Sequence, residues 1–210
     1  MSERGRPRSF DRAAALRRAM EVFWAKGYEG ASLSDLTAAM GINSPSLYAA
    51  FGSKEALFLE ATDLYTRSEG TDIWSTLEQA PTARLAIEGF LTETAKAYSQ
   101  IDRPQGCLIA LGALHQDSTQ GLICQDLRRR RAENQTALER RLGRAVAEGE
   151  LPADFDCQAA ATFFATVQHG MSIQARDGAT HAALMATASG AMAAWTTMAG
   201  VRPRDKRKAL

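Results

Sequence analysis

The chain holds only three cysteines, Cys107, Cys124 and Cys157, an odd number with no Cys-x-x-Cys pair. Neither a disulfide framework nor a zinc site is built that way. Histidine is as scarce, and positions 115, 169 and 181 share no metal-ligand spacing, so no metal is expected. There is no glycine-rich phosphate loop, no Ser-His-Asp spacing and no confined pair of carboxylates, so an enzyme finds no support and no cofactor is expected. Long apolar runs are missing too. The longest stretch without Asp, Glu, Lys or Arg, residues 178–201, is rich in Ala, Thr, Ser and Gly, too weakly apolar to span a membrane. No apolar segment follows Arg4, Arg6 and Arg8, so no secretion signal is read and a cytoplasmic location is expected.

What is present fits a globular protein of one domain or two small ones: 210 residues, 45% hydrophobic and 23% charged. The net charge of +1 conceals an asymmetry. Residues 1–54 carry 8 basic and 5 acidic side chains, whereas residues 55–105 carry 4 and 9. A basic start beside an acidic middle suggests that one end of the molecule meets a polyanion. Ala, Leu, Glu, Arg and Met dominate and strictly alternating β-branched runs are absent, which predicts an all-α fold.

The first helix is expected from about Phe10 or Asp11 to Lys26, with Leu16, Met20, Phe23 and Trp24 as its buried stripe and Gly27 as its stop. A short helix over 35–40, capped by Ser34, ends at Gly41, and another opens at Ser44–Pro45 and runs to Phe51. A further helix runs from about Ser53 to Glu69; the segment 70–81 is open, with Ile73, Trp74 and Leu77 compatible with helix. Beyond it helices are predicted near 82–101, 106–116, 119–148, 156–176 and 180–199. In the longest, Leu127, Leu138, Leu142 and Val146 form the apolar side and the arginine run 128–131 a solvated face. Residues 202–210 form a basic tail.

Residues 33–51 are the informative part. Two short helices joined by a tight glycine turn, with an apolar residue just after it, are the sequence form of a helix-turn-helix. Leu36 and Met40 seat the first of them, Ile42 plugs the corner, and Leu47 and Phe51 anchor the second. Asn43, Ser44, Ser46, Tyr48 and Ala49 are left facing outward. A helix presented this way can enter a major groove about 12 Å wide with its first residues on base edges.

The stretch from Ser9 to Tyr65 resembles the DNA-binding domain of the TetR family of bacterial transcriptional repressors. The matching residues are Ala19-x3-Phe23-x3-Gly27-Tyr28, Ser32-Leu33-x2-Leu36, Gly41-Ile42, and Ser46-Leu47-Tyr48-x2-Phe51-x2-Lys54-Glu55-x-Leu57. Thr37 stands where the family often has Ala, and Ala49-Ala50 replaces bulkier residues that commonly touch the backbone, so register leans on Tyr48 and Lys54. The resemblance implies double-stranded operator DNA as partner. Tyr48 and Lys54 are the expected phosphate contacts, and Ser32 and Ser34 join them at a helix N-terminus that favours an anion. Asn43, Ser44 and Ser46 are the expected base readers, while Arg6 and Arg8 form a basic arm suited to a narrow minor groove.

The division expected is a head over 1–54, with a fourth helix at about 54–69 linking it to an effector-binding and dimerisation domain over 70–201. The resemblance implies that second role; the sequence supports it through many small residues in the last two predicted helices, which let helices of a homodimer approach closely. Trp74, Phe90, Tyr98, Cys107, Leu111, His115, Phe164, Gln168 and Met171 are the candidate lining of a pocket for a small-molecule effector. Cys107 follows Gly106 at a predicted helix start, where free N–H groups favour a thiolate. The segment Arg103-Pro104-x-Gly106-Cys107-Leu108 also resembles a TetR-family subgroup whose cysteine here senses electrophiles or oxidants, so a thiol-sensing repressor is the alternative to a ligand-released one. A DNA-independent adaptor is the rival from another class, and the outward polar set of 41–54 argues against it.

Overall fold

Helix 1 begins where Asp11 accepts hydrogen bonds from the amides of Ala13 and Ala14, at 2.9 and 3.1 Å, and α1 spans Arg12–Gly30 in the computed structural model, which describes residues 10–113 and 121–200. Its buried stripe is Ala15, Ala19, Met20, Phe23, Trp24 and Tyr28, with Leu16 only half-buried. Gly27 leaves helical geometry with φ +71°, but the chain regains a last turn through Gly30, so the expected stop is a kink.

Helix α2 spans Leu33–Met40 and its cap is Ser32, where the sequence reading places Ser34. The reason is reciprocal: the Ser32 hydroxyl accepts from the Asp35 amide at 3.0 Å while the Asp35 carboxylate accepts from the Ser32 amide at 3.0 Å. Helix α3, Ser44–Phe51, is likewise capped one residue earlier than expected, because Asn43 Oδ1 accepts from the Ser46 amide at 2.9 Å. Helix α4, Lys54–Ser68, starts on Ser53 as predicted.

The open segment is helix α5, Thr71–Gln79, followed by α6, Ala83–Tyr98, and the single turn α7, Leu108–Leu111. Helices α8 (Leu122–Ala147), α9 (Cys157–Arg176) and α10 (His181–Met198) complete an all-α molecule among the described residues. Helices α1 to α4 form the head, around Phe23, Leu36, Leu47, Leu57 and Phe58, all fully buried. Phe58 meets Phe23 edge-on at 5.0 Å and Tyr28 edge-on at 5.3 Å. The remaining helices pack around Ile87, Phe90, Leu91, Leu138, Leu142 and Phe164. Helix α4 belongs to both bodies, resting on α1 by one face and on α5, α7 and α8 by another.

The arginine run on α8 is solvated only in part. Arg128 and Arg129 are exposed, but Arg130 bonds Asp126 at 2.6 Å and Asp63 of α4, and Arg131 donates to the Ile109 carbonyl at 2.9 Å. At 3.6 residues per turn four consecutive side chains sweep right round a helix, so two of them necessarily face the neighbours. Further along the helix, Arg141 is 2% exposed and donates to the Ala80 carbonyl at 3.1 Å.

Candidate nucleic-acid interface and ligand pocket

The outer face of the head is made by α3. Leu47 and Phe51 point inward, Ile42 is half-buried in the corner, and Gly41 takes φ +67° so that the Ile42 amide reaches the Thr37 carbonyl at 3.2 Å. That arrangement leaves Asn43, Ser44, Tyr48 and Ala49 outward, Tyr48 exposed to 45%, while Ser46 is half-buried. Asn43 is not wholly free: its oxygen caps α3, leaving the amide nitrogen to face outward. Arg12 steadies the far end of α3, donating to the Ala50 carbonyl at 3.2 Å, pairing with Glu60 at 2.8 Å and stacking 4.3 Å over the Phe51 ring. The sequence reading misses this support; an arginine at the first helical position offers no signal of its distant partner.

Ser32 and Ser34 stand at the N-terminus of α2, on the outside of the head. Lys26 bonds Asp35 there at 2.7 Å and, with the Ser32 hydroxyl, pulls that carboxyl from its ordinary value down to about 2. Gly52, with φ +81°, turns the chain from α3 into α4, so Lys54 follows directly on α3. Its ammonium sits 4.4 Å over the Tyr28 ring. Arg6 and Arg8 lie outside the described residues.

A cavity of about 70 Å³ opens between α4, α5, α8 and α9. Of the predicted lining, Trp74, Tyr98, Cys107 and Gln168 face it. Phe90 stands behind Trp74 at 5.5 Å, Phe164 is core against Phe163 and Trp195, Met171 is core, and Leu111 packs beside Gly106. His115 lies outside the described residues. Tyr65, Arg130, Asn134 and His169 also line the cavity and were not predicted. Tyr65 and Arg130 were masked by their settings, a linking helix and an arginine run. A second hollow of about 110 Å³ shares Tyr65, Glu69, Ile73 and Tyr98 and opens on the other side, where Arg103 pairs with Glu69.

Charges in the cavity are largely spoken for. Arg130 is held by two aspartates, and burial, then Arg131, lowers the His169 pKa, which favours the neutral ring. Burial raises the phenols of Tyr65 and Tyr98 well above their ordinary range, and the neighbouring Cys107 adds to the effect. The dipole expected beneath Cys107 is slight, since α7 has only four residues.

The loop around Cys107 is tied to α1 and α9 by its backbone. The Cys107 amide donates to Ser172 Oγ of α9 at 2.8 Å, the Gly106 carbonyl accepts from the Trp24 indole of α1 at 3.0 Å, and the Gly112 carbonyl accepts from the Tyr28 amide at 2.7 Å. Arg176, at the end of α9, donates to the carbonyls of Gln105, Ala25 and Trp24. Among the described residues no three His, Cys, Asp or Glu side chains converge as a metal ion would need, and no helix is long and apolar enough to cross a membrane.

Residues 15–61 match the bacterial regulatory proteins of the tetR family, and residues 84–189 match the tetracyclin repressor-like C-terminal domain. The HTH-type transcriptional repressor ComR of Escherichia coli (strain K12) is 35% identical over 193 residues, 91% of this chain and 92% of its own. BdcR, an HTH-type transcriptional repressor of the same organism, is 33% identical over 186 residues, 88% of this chain and 89% of its own. Among solved structures, a cysteine mutant of the TetR family transcriptional regulator CifR, complexed with 26-base-pair double-strand operator DNA, is 45% identical with a TM-score of 0.86, covering 90% of this chain and 100% of that one. The chain belongs to the TetR family and is a DNA-binding helix-turn-helix transcriptional regulator, not an enzyme.

Proposed function

We propose that this chain is a homodimeric repressor that binds a palindromic operator through its head, residues 1–54, and leaves it when a small molecule occupies the domain over 70–201. The observation that carries the reading is the polar outer face of α3 standing on fully buried Leu47. Tyr48 and Lys54 hold phosphates, with Ser32 and Ser34 beside them; Asn43, Ser44 and Ser46 read bases, and Arg6 and Arg8 follow the minor groove. The complex of CifR with operator DNA supports the DNA side. Exposed small or flat positions on α9 and α10, among them Gly170, Ile173, Ala182, Ala186 and Gly190, suit a two-fold four-helix contact, and two recognition helices need such an axis. The effector belongs in the cavity beneath α4, must bind the DNA-free conformer better, and works in the cytoplasm, where operators are.

Selection of random-sequence duplexes by the purified chain, followed by a salt series on the winner, tests this. A palindrome bound by two chains, with log K falling steeply in log salt, is the expected result. A folded dimer that enriches nothing overturns the operator reading.

A second reading is favoured by one observation: Cys107 lines the cavity between two phenols, whereas Cys124 and Cys157 do not reach it. On that reading alkylation of Cys107 releases DNA. N-ethylmaleimide should then lower operator affinity in the parent and leave Cys107→Ser unaffected; equal responses remove thiol sensing.

A further inference from the structure

Tyr28 gathers three bonds that no other described residue of the head combines. Its amide is fixed to the Gly112 carbonyl at 2.7 Å, its hydroxyl donates to Glu55 Oε1 at 2.7 Å, and its ring lies 4.4 Å beneath the Lys54 ammonium. The ring itself cannot wander, being 7% exposed and wedged edge-on against Phe58.

The backbone explains how Tyr28 reaches Gly112. Gly27 takes φ +71°, and a Cβ there would stand 3.1 Å from the Gly112 oxygen, so the α1 kink and the end of α7 fit only around glycine. The turn lifts the Tyr28 amide out of α1's own bonding and onto the residue that ends α7. From that anchor the ring extends to the N-terminus of α4.

Lys54 carries its charge on a flexible four-carbon stem, so a fixed aromatic face limits where the ammonium can go. Glu55 is its neighbour in sequence and a carboxylate able to neutralise it. The Tyr28 hydroxyl occupies that carboxylate, and this bond is the main cause that lowers the Glu55 carboxyl from its ordinary value. Ring and hydroxyl thus act together, one aiming the cation and the other holding the competing anion aside.

We infer that Tyr28 is a positioning residue for DNA binding: it holds the Lys54 ammonium toward the phosphate backbone and fixes that contact to α7. The inference rests on the proposed phosphate contact of Lys54.

A double-mutant cycle on the selected operator duplex tests it, using Lys54→Ala, Tyr28→Leu and their combination, with the dependence of affinity on salt as readout. Lys54→Ala should lower the slope of log K against log salt by about 1. Tyr28→Leu should lower it as much and weaken binding about tenfold. The combined variant should be no worse than Lys54→Ala alone, and Tyr28→Phe, which keeps the ring but frees the Glu55 carboxylate, should recover the slope only in part. Additive losses would make Tyr28 a mere support of the fold and overturn the inference. A Lys54→Ala slope equal to the parent's overturns the phosphate contact itself, a distinct failure. If Tyr28→Leu does not fold, proton NMR of the parent decides: the Lys54 CεH2 signals should stay shifted upfield by the ring in both free and operator-bound protein. Their return to ordinary positions on DNA would remove the aiming role.

Discussion

Asn43 does two jobs at once, and the two can be separated. Its oxygen caps α3, so Asn43→Ala should cost about 1 kcal/mol of stability, whatever it also does to operator affinity. Asn43→Asp keeps the capping oxygen but turns a negative charge toward the operator. The expected outcome is an unchanged or slightly raised melting temperature with operator affinity weakened at least about tenfold, one favourable contact having become a repulsion; equal affinities would remove Asn43 from the DNA face. Asp35 gives a prediction in pH. Its folded pKa, about 2, lies below the ordinary value, so its contribution is present above about pH 4 and fades as pH falls through 2. Melting curves of the parent and Asp35→Asn should therefore differ by a constant above about pH 4 and converge toward about pH 2. At this scale the sequence is readable wherever a side chain acts on its own neighbours. Gly41, Gly52 and Ser53 stand where the sequence places them because turns and caps are local. Ser34 looks like the cap because it lies nearer the apolar stripe, yet the spacing of Ser32 to Asp35 makes a capping box and wins.

At the scale of elements, the helix-turn-helix is legible and the charged side of α8 is not. Periodicity marks apolar stripes, and Leu127, Leu138 and Leu142 are all fully buried as expected. It says nothing of an arginine turned inward, because the partner that decides its fate comes from elsewhere in the chain. Arg141 shows the consequence. Its guanidinium is 2% exposed and bonds the Ala80 carbonyl, but its Nε and Nη1 make no hydrogen bond to the described residues. Burial lowers its pKa. A buried charge satisfied by one carbonyl and distant carboxylates is poorly compensated. Arg141→Met, unbranched and apolar, should leave stability unchanged or raise it by about 1–4 kcal/mol, as buried ion replacements do. Arg140 and Arg144 hold the same α5–α8 seam through Glu78, so the seam survives the change. Chemical denaturation decides the matter: a loss of more than about 2 kcal/mol would mean that the guanidinium is better paired than its geometry indicates. The cavity follows the same rule. Trp74, Tyr98, Cys107 and Gln168 are found by their apolar or amphipathic character, whereas Arg130 and His169 reach it only through the way α8 and α9 cross.

In the whole molecule the question is how the head knows where the other body is. Gly27 interrupts α1, so the Trp24 carbonyl loses the helical partner it would have had, the Tyr28 amide having gone to Gly112. Arg176 supplies the missing donor, bonding the Trp24 and Ala25 carbonyls at 2.7 Å from the end of α9 and the Gln105 carbonyl at 3.0 Å. One guanidinium therefore joins a helix proposed to carry the dimer axis, the loop beside the cavity and the last turns of α1. Five donors in a rigid fork suit three carbonyls; a lysine cannot reach the same set. Removing it should cost about 2–3 kcal/mol, discounted for its partial exposure, and amide exchange should quicken at residues 28–30. The more telling effect is on DNA. Heads held in register prefer one separation of half-sites, so Arg176→Ala should lose most affinity for the selected palindrome and least for one respaced by a base pair. The ratio between the two duplexes should fall toward one, with Arg176→Lys intermediate. If the ratio stays at the parent's value while stability drops, Arg176 only braces the fold, and register must come from the other contacts between the bodies, those of α4 and of α1 with α7.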